Sequence, residues 1–114
     1  MSVPTMTPST LRPAQTPTIY FIGVTTGSSS IQRVFPVWAG QLGLHDARLQ
    51  GIDLPLHAPA EQYRAVVEFI KHDPLSFGAL VTTHKIDLFR AASDLFDYID
   101  PLAIMMGETS CLSK

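Results

Sequence analysis

Three short β-rich apolar runs, each followed by a segment with helical spacing, set the strongest limit on what this chain can fold into. Thr18 to Val24 is the first run, Ala47 to Leu54 the second and Phe77 to Thr82 the third. The first and third runs, continuous rather than alternating, suit buried strands, whereas Gly51 interrupts the second. After the first, Ile31, Val34, Phe35, Trp38 and Leu42 recur as one side of a helix, and Gly43 suits its stop. Pro36 fits that helix if it begins near Arg33, because first-turn N–H groups have no intrahelical partner. After the second, Pro59 suits the first position of a helix reaching about His72. Tyr63, Val66, Val67 and Ile70 form its apolar side, and Asp73-Pro74 ends it. After the third, Thr83-His84-Lys85 leads into a helix carrying Ile86, Leu88 and Phe89. Asp94 to Asp100 reads as a further helical turn closed by Pro101, and Glu108 to Leu112 as a last strand after Gly107. This alternation predicts right-handed crossovers and a mainly parallel sheet, in an α/β three-layer domain with helices on both faces.

A chain of 114 residues, 46% apolar and 16% charged, can build one such domain around one core. A net charge of −2 argues against a general nucleic-acid binder. Residues 1–17 hold Pro4, Pro8, Pro13 and Pro17 without an apolar run, so they predict a flexible tail rather than a secretory signal or a membrane span. The folded domain is then 18–114. The single cysteine, Cys111, rules out an internal disulfide and fits a reducing, cytoplasmic setting.

In parallel sheets of this kind ligands bind beyond the carboxyl ends of the strands, so three junctions carry the functional interest. The first is the turn Thr25 to Ser30, where Ser28, Ser29 and Ser30 precede a helix. Backbone N–H groups, the helix dipole and serine hydroxyls favour a carboxylate or phosphate there; a Ser-rich turn with an ordinary N-cap is the competing reading. It is not a P-loop, because no Gly-Lys-Ser/Thr follows. The second junction is Val81-Thr82-Thr83-His84-Lys85. A cation at a helix start opposes the dipole, which eases proton exchange at Lys85. Thr82, Thr83 and His84 add hydrogen-bonding groups, and a solvated lysine in a plain loop competes. The third is Gly107-Glu108-Thr109-Ser110-Cys111. A metal reading of Cys111 with His84 lacks further ligands at suitable spacing, and an inert cysteine is commoner than a nucleophile served by His84.

Together these junctions resemble the N-terminal domain of shikimate dehydrogenases, from about Ile19 to Ser113. That family has a strand ending in glycine, a Ser-x-Ser loop and a helix ending Leu-Gly-Leu, matched here by Gln41-Leu42-Gly43-Leu44. Asn-Val-Thr-x-Pro-His-Lys and Gly-Ala-Val-Asn-Thr follow. The resemblance places the proton-transferring lysine on Lys85 with His84 before it, and the carboxylate-binding serine on Ser29. Ile31 and Gln32 fall where the family has its second serine and a proline, with Ser28 or Ser30 as substitutes. Ala79, Val81 and Thr83 fall on the family's asparagine, threonine and proline, and Thr82 is a substitute hydroxyl. Ser110 and Cys111 fall on the asparagine and threonine of the last motif. The chain contains no asparagine at all, which marks a divergent branch.

The resemblance implies an aminoacid dehydrogenase-like N-terminal fold. It also implies reversible reduction of 3-dehydroshikimate to shikimate, or of a related cyclic polyhydroxy acid. NADP or NAD would be bound by a Rossmann domain that, like the partner aspartate, lies past Lys114. Neither Gly23 nor Gly27 belongs to a Gly-x-Gly-x-x-Gly turn, so this chain is expected to hold no cofactor site and no metal. It would be inactive alone, with uncovered apolar surface that favours self-association. The alternatives are a non-catalytic ligand-binding or regulatory domain of the same fold, a related dehydrogenase for amino acids or folates, and an unrelated phosphate-binding α/β domain.

Overall fold

Tyr20 and Ile22 on one side of the first strand, and Ile19 and Phe21 on the other, need cover on both faces and pairing on both edges. The computed structural model, which describes residues 4–114, places that strand, β1 (Thr18–Gly23), in the middle of a four-stranded sheet. It pairs in parallel with β2 (Arg48–Asp53) on one edge and with β3 (Ser76–Val81) on the other. A short β4 (Cys111–Ser113) runs antiparallel beside β3, giving the order β2-β1-β3-β4. The fold is therefore an α/β domain with a mostly parallel open sheet.

Among the described residues four α-helices accompany the strands: α1 (Ile31–Gln41), α2 (Ala60–His72), α3 (Lys85–Ala92) and α4 (Pro101–Met106). One core joins Tyr20, Ile22, Ile52, Ala79 and Val81 of the sheet to Tyr63, Val66, Val67 and Ile70 of α2 and to Leu88 and Ala92 of α3. The register explains the cluster, since Ile22 lies opposite both Ile52 and Val81. Each large apolar side chain buried there is worth about 1.5–3 kcal/mol. The other face carries Phe21 beside Leu80, which remains 38% exposed. No helix among the described residues is long and apolar enough to cross a membrane.

Several elements depart from the sequence expectations. The helix after β1 starts at Ile31, not near Arg33, because Gln32 N–H and Val34 N–H already donate to Ser29 and Ser30 carbonyls. Pro36 is thus inside α1 and leaves the Gln32 carbonyl without its i+4 donor; Pro36 is exposed, so water can reach that turn. The expected stop at Gly43 takes the form of a Schellman motif. Gly43 has φ +76, Leu44 N–H donates to Ala39 O and Gly43 N–H to Gly40 O. In α3 the buried pair is Leu88 and Ala92, one turn apart, and Ile86 faces outward at 46% exposure. Between Asp94 and Asp100 the regular structure is a single 3-10 turn, Ser93–Leu95. Pro101 opens a helix instead of closing one. It sits in the first turn of α4, and Asp100 caps it by accepting from Leu102 N–H at 2.8 Å.

The segment before β1 lies on the sheet from Pro4 onward rather than apart from it. Met6 is 3% exposed, donates its N–H to Gly51 O and accepts from Asp53 N–H, forming a parallel bridge along the outer side of β2. Leu11 packs against the same core. Met6→Ala is accordingly expected to lower the unfolding free energy by about 2–3 kcal/mol in urea titration. A change near zero would mark the segment as a loose tail.

Candidate functional site

The parallel pairing of β1 and β3 brings their carboxyl ends together. Thr82 N–H donates to Ile22 O at 2.9 Å, so the chain leaving β3 starts beside the chain leaving β1. Gly23 lies between the two exits, and a Cβ there would stand 3.0 Å from the methyl groups of both Thr26 and Thr82. The strand order also reverses direction here, since β2 lies on one side of β1 and β3 on the other. Crevices in open α/β sheets form at such reversals.

The first junction is held from β2. Thr26 N–H and Thr26 Oγ1–H both donate to Asp53 Oδ1, at 3.0 and 2.5 Å, and Thr5 Oγ1–H donates to Asp53 Oδ2 at 2.9 Å. That carboxylate fixes a short 3-10 turn (Thr26–Ser28) ahead of α1. Ser28 and Ser30 are exposed and Ser29 is half-buried. Ser30 occupies the N-cap position of α1 but makes no side-chain capping bond. The capping explanation of this serine run is therefore not realised, and the Ser30 hydroxyl is left available.

The second junction is a tight reversal. Thr83 has φ +66 and His84 N–H donates to Thr82 O at 2.6 Å, which closes a three-residue γ-turn. A β-branched residue at positive φ is a genuine outlier and costs about 1–3 kcal/mol. His84 is buried at 1% exposure, with Nδ1 2.9 Å from Tyr63 Oη. Lys85 follows as the half-buried first residue of α3. Thr82 is half-buried and Thr83 exposed.

The third junction closes on the second. Val81 N–H donates to Ser110 O at 2.9 Å and Thr109 N–H to Lys85 O at 3.1 Å. Ser110 and Cys111 are both exposed. The three junctions thus share one end of the sheet. A cavity of about 680 Å³ lies between α2, β4 and the segment Leu95–Asp100 and meets the third junction at Thr109 and Cys111, but not the first two. One of about 370 Å³ lies under Arg12–Thr16. Ser29 and Lys85 border neither. No group of three or more His, Cys, Asp or Glu among the described residues could hold a metal ion.

Sequence reasoning missed three contributors. Asp53 stands outside any motif and Thr26, though inside the Thr25–Ser30 turn, was given no role; their pairing depends on the β1–β2 register. Tyr63 was read as a core residue only, though its hydroxyl also accepts from Ala58 N–H at 3.3 Å. Nearby, His57, at φ +52, places Nδ1 2.8 Å from Asp87 of α3. Burial pushes the Tyr63 hydroxyl above the usual phenol range; the Ala58 N–H works against this and the Asp87 carboxylate adds to it. Burial also pushes Tyr20 up, opposed by the Ser76 hydroxyl and reinforced by Asp73. No protein-family model matches this chain, and no curated protein matches it.

Two outcomes follow from this geometry. Thr83→Gly relieves the γ-turn and is expected to raise the unfolding free energy by about 0.5–1 kcal/mol after the entropic cost of glycine, read from urea midpoints. The raised phenols bind protons more tightly in the folded state than in the unfolded one. Their contribution is complete below pH 10.0 and is lost as the pH climbs beyond it. Urea midpoints should therefore hold steady up to that point and fall above it, the fall being smaller in Tyr20→Phe.

Proposed function

We propose that this chain is the substrate-binding part of a shikimate dehydrogenase-like oxidoreductase. The reaction is the reversible, nicotinamide-dependent reduction of 3-dehydroshikimate to shikimate, or of a related cyclic polyhydroxy acid. The observation that carries the reading is the meeting of the hydroxyl-rich turn after β1, the lysine after β3 and the strand-opening segment at Ser110 at a single sheet end. These are three of the places where the sequence resembles that family, and they are far apart along the chain. The order β2-β1-β3-β4 supports a three-layer arrangement, since right-handed crossovers from β1 to β2 and from β2 to β3 put α1 and α2 on opposite faces.

In this reading Ser29, helped by Ser28 and Ser30, holds the substrate carboxylate near the start of α1. Lys85 moves the proton to or from the ring oxygen, and Thr82, Thr83 and Ser110 supply hydrogen bonds to hydroxyls. His84 belongs to the site through its backbone and its place before Lys85, because its ring is turned into Tyr63. NADP or NAD supplies or takes up the hydride when bound. The β1–α1 turn, with Asp53 drawing Thr26 inward and no Gly-x-Gly-x-x-Gly spacing, does not fit a dinucleotide. The cofactor belongs on a separate Rossmann domain. A cytoplasmic location and self-association through apolar surface go with the same reading.

The test has two stages. Calorimetry with shikimate and quinate should show binding to this chain that weakens roughly tenfold in Ser29→Ala, the loss of one hydrogen bond to a charged group. With a nucleotide-binding domain present, Lys85→Ala should keep carboxylate binding and lose turnover by roughly a hundredfold or more. Binding without any Lys85-dependent turnover would favour a regulatory domain of the same fold, and no binding of either acid would defeat the substrate assignment.

A further inference from the structure

His84 is buried in a way that packing alone does not explain. Its ring is 1% exposed, and Nε2 has no hydrogen-bond partner among the described residues. A bare buried nitrogen is costly, and an apolar side chain of similar size would fill the space without it. The polar contact the ring does make is with Tyr63 Oη at 2.9 Å, the rings meeting edge-on with centroids 5.4 Å apart. Tyr63 Oη already accepts from Ala58 N–H, so the phenol's single proton is free to go to His84 Nδ1. The imidazole proton then sits on Nε2. His84 is also the residue whose N–H closes the strained turn at Thr83, and its carbonyl accepts from Leu88 N–H at 2.8 Å, the first turn of α3.

We propose that Tyr63 and His84 are positioning residues for Lys85. The phenol of α2 holds the imidazole, the imidazole keeps the γ-turn closed, and the closed turn sets where α3 and its first residue, Lys85, begin. The strain at Thr83 makes such a hold necessary, since a positive-φ threonine released from it relaxes toward extended backbone. The His57–Asp87 pair ties the loop before α2 to α3 from outside. This proposal rests on the reading of Lys85 as the working residue, but its test does not depend on it.

The experiment is nitrogen-15 NMR of the chain, reading the His84 tautomer and amide hydrogen exchange in one series. The wild type should show the Nε2–H form alone. Tyr63→Phe should show both tautomers, with exchange at His84 and Leu88 accelerated roughly tenfold more than at Ile22 of β1, the loss of one buried hydrogen bond. Val66→Ala, which only weakens the core, should accelerate all three by a common factor. His84→Asn keeps an acceptor for the phenol and should retain slow exchange at residue 84, whereas His84→Ala should not. A wild-type Nδ1–H tautomer, or matching exchange patterns in Tyr63→Phe and Val66→Ala, overturns the proposal. Failure to bind shikimate counts only against the substrate assignment and leaves these readouts to decide the clamp.

Discussion

Parallel hydrogen bonding of β1 to two neighbours at once is the constraint from which the rest of the molecule follows. A central strand with a neighbour on each side forces the chain to leave in one direction, to β2, and return across to β3 in the other. The carboxyl ends of β1 and β3 must then lie together at the point of reversal. Every contact at the candidate site is anchored to that pair. Thr82 N–H reaches Ile22 O, Thr26 is drawn to Asp53 in register with Gly23, and Ser110 continues the pairing of β4 with β3.

Much of this was legible in the residues because it rests on local pattern. The β-rich runs at 18–24 and 47–54 each contain a strand, the run at 77–82 covers all of β3 but Ser76, and the face Tyr63, Val66, Val67 and Ile70 is the buried face of α2. What was not legible depends on partners distant in sequence. Pro36 looked like a helix-start residue because its cost was judged from the backbone alone; Ser29 and Ser30 carbonyls extend the helix backward past it. Ile86 looked more apolar than its position warranted, and only the packing of α3 on α2 selects Leu88 and Ala92. Met6 carried no signal at all, since one methionine among prolines and threonines is inward only because the outer side of β2 is there to receive it.

At the site the same division holds. The identities of Lys85 and the serine run pointed to it, whereas its support did not. Asp53 and Tyr63 act through hydrogen bonds across 27 and 21 residues of chain. A strained Thr83 cannot be foreseen from composition, because threonine is ordinarily a poor choice at positive φ. Such a residue persists only where its surroundings over-determine it, and here the surroundings are a buried tyrosine and histidine.

The bridge made by Met6 also decides how the sheet meets the outside world. Its backbone covers the Gly51–Asp53 end of the outer rim of β2, while the rim of β4, three residues without proline, stays free among the described residues. An arriving strand therefore meets the whole rim at β4 but only the Arg48–Gln50 end at β2, so the two edges of the sheet are unequal templates for a further strand.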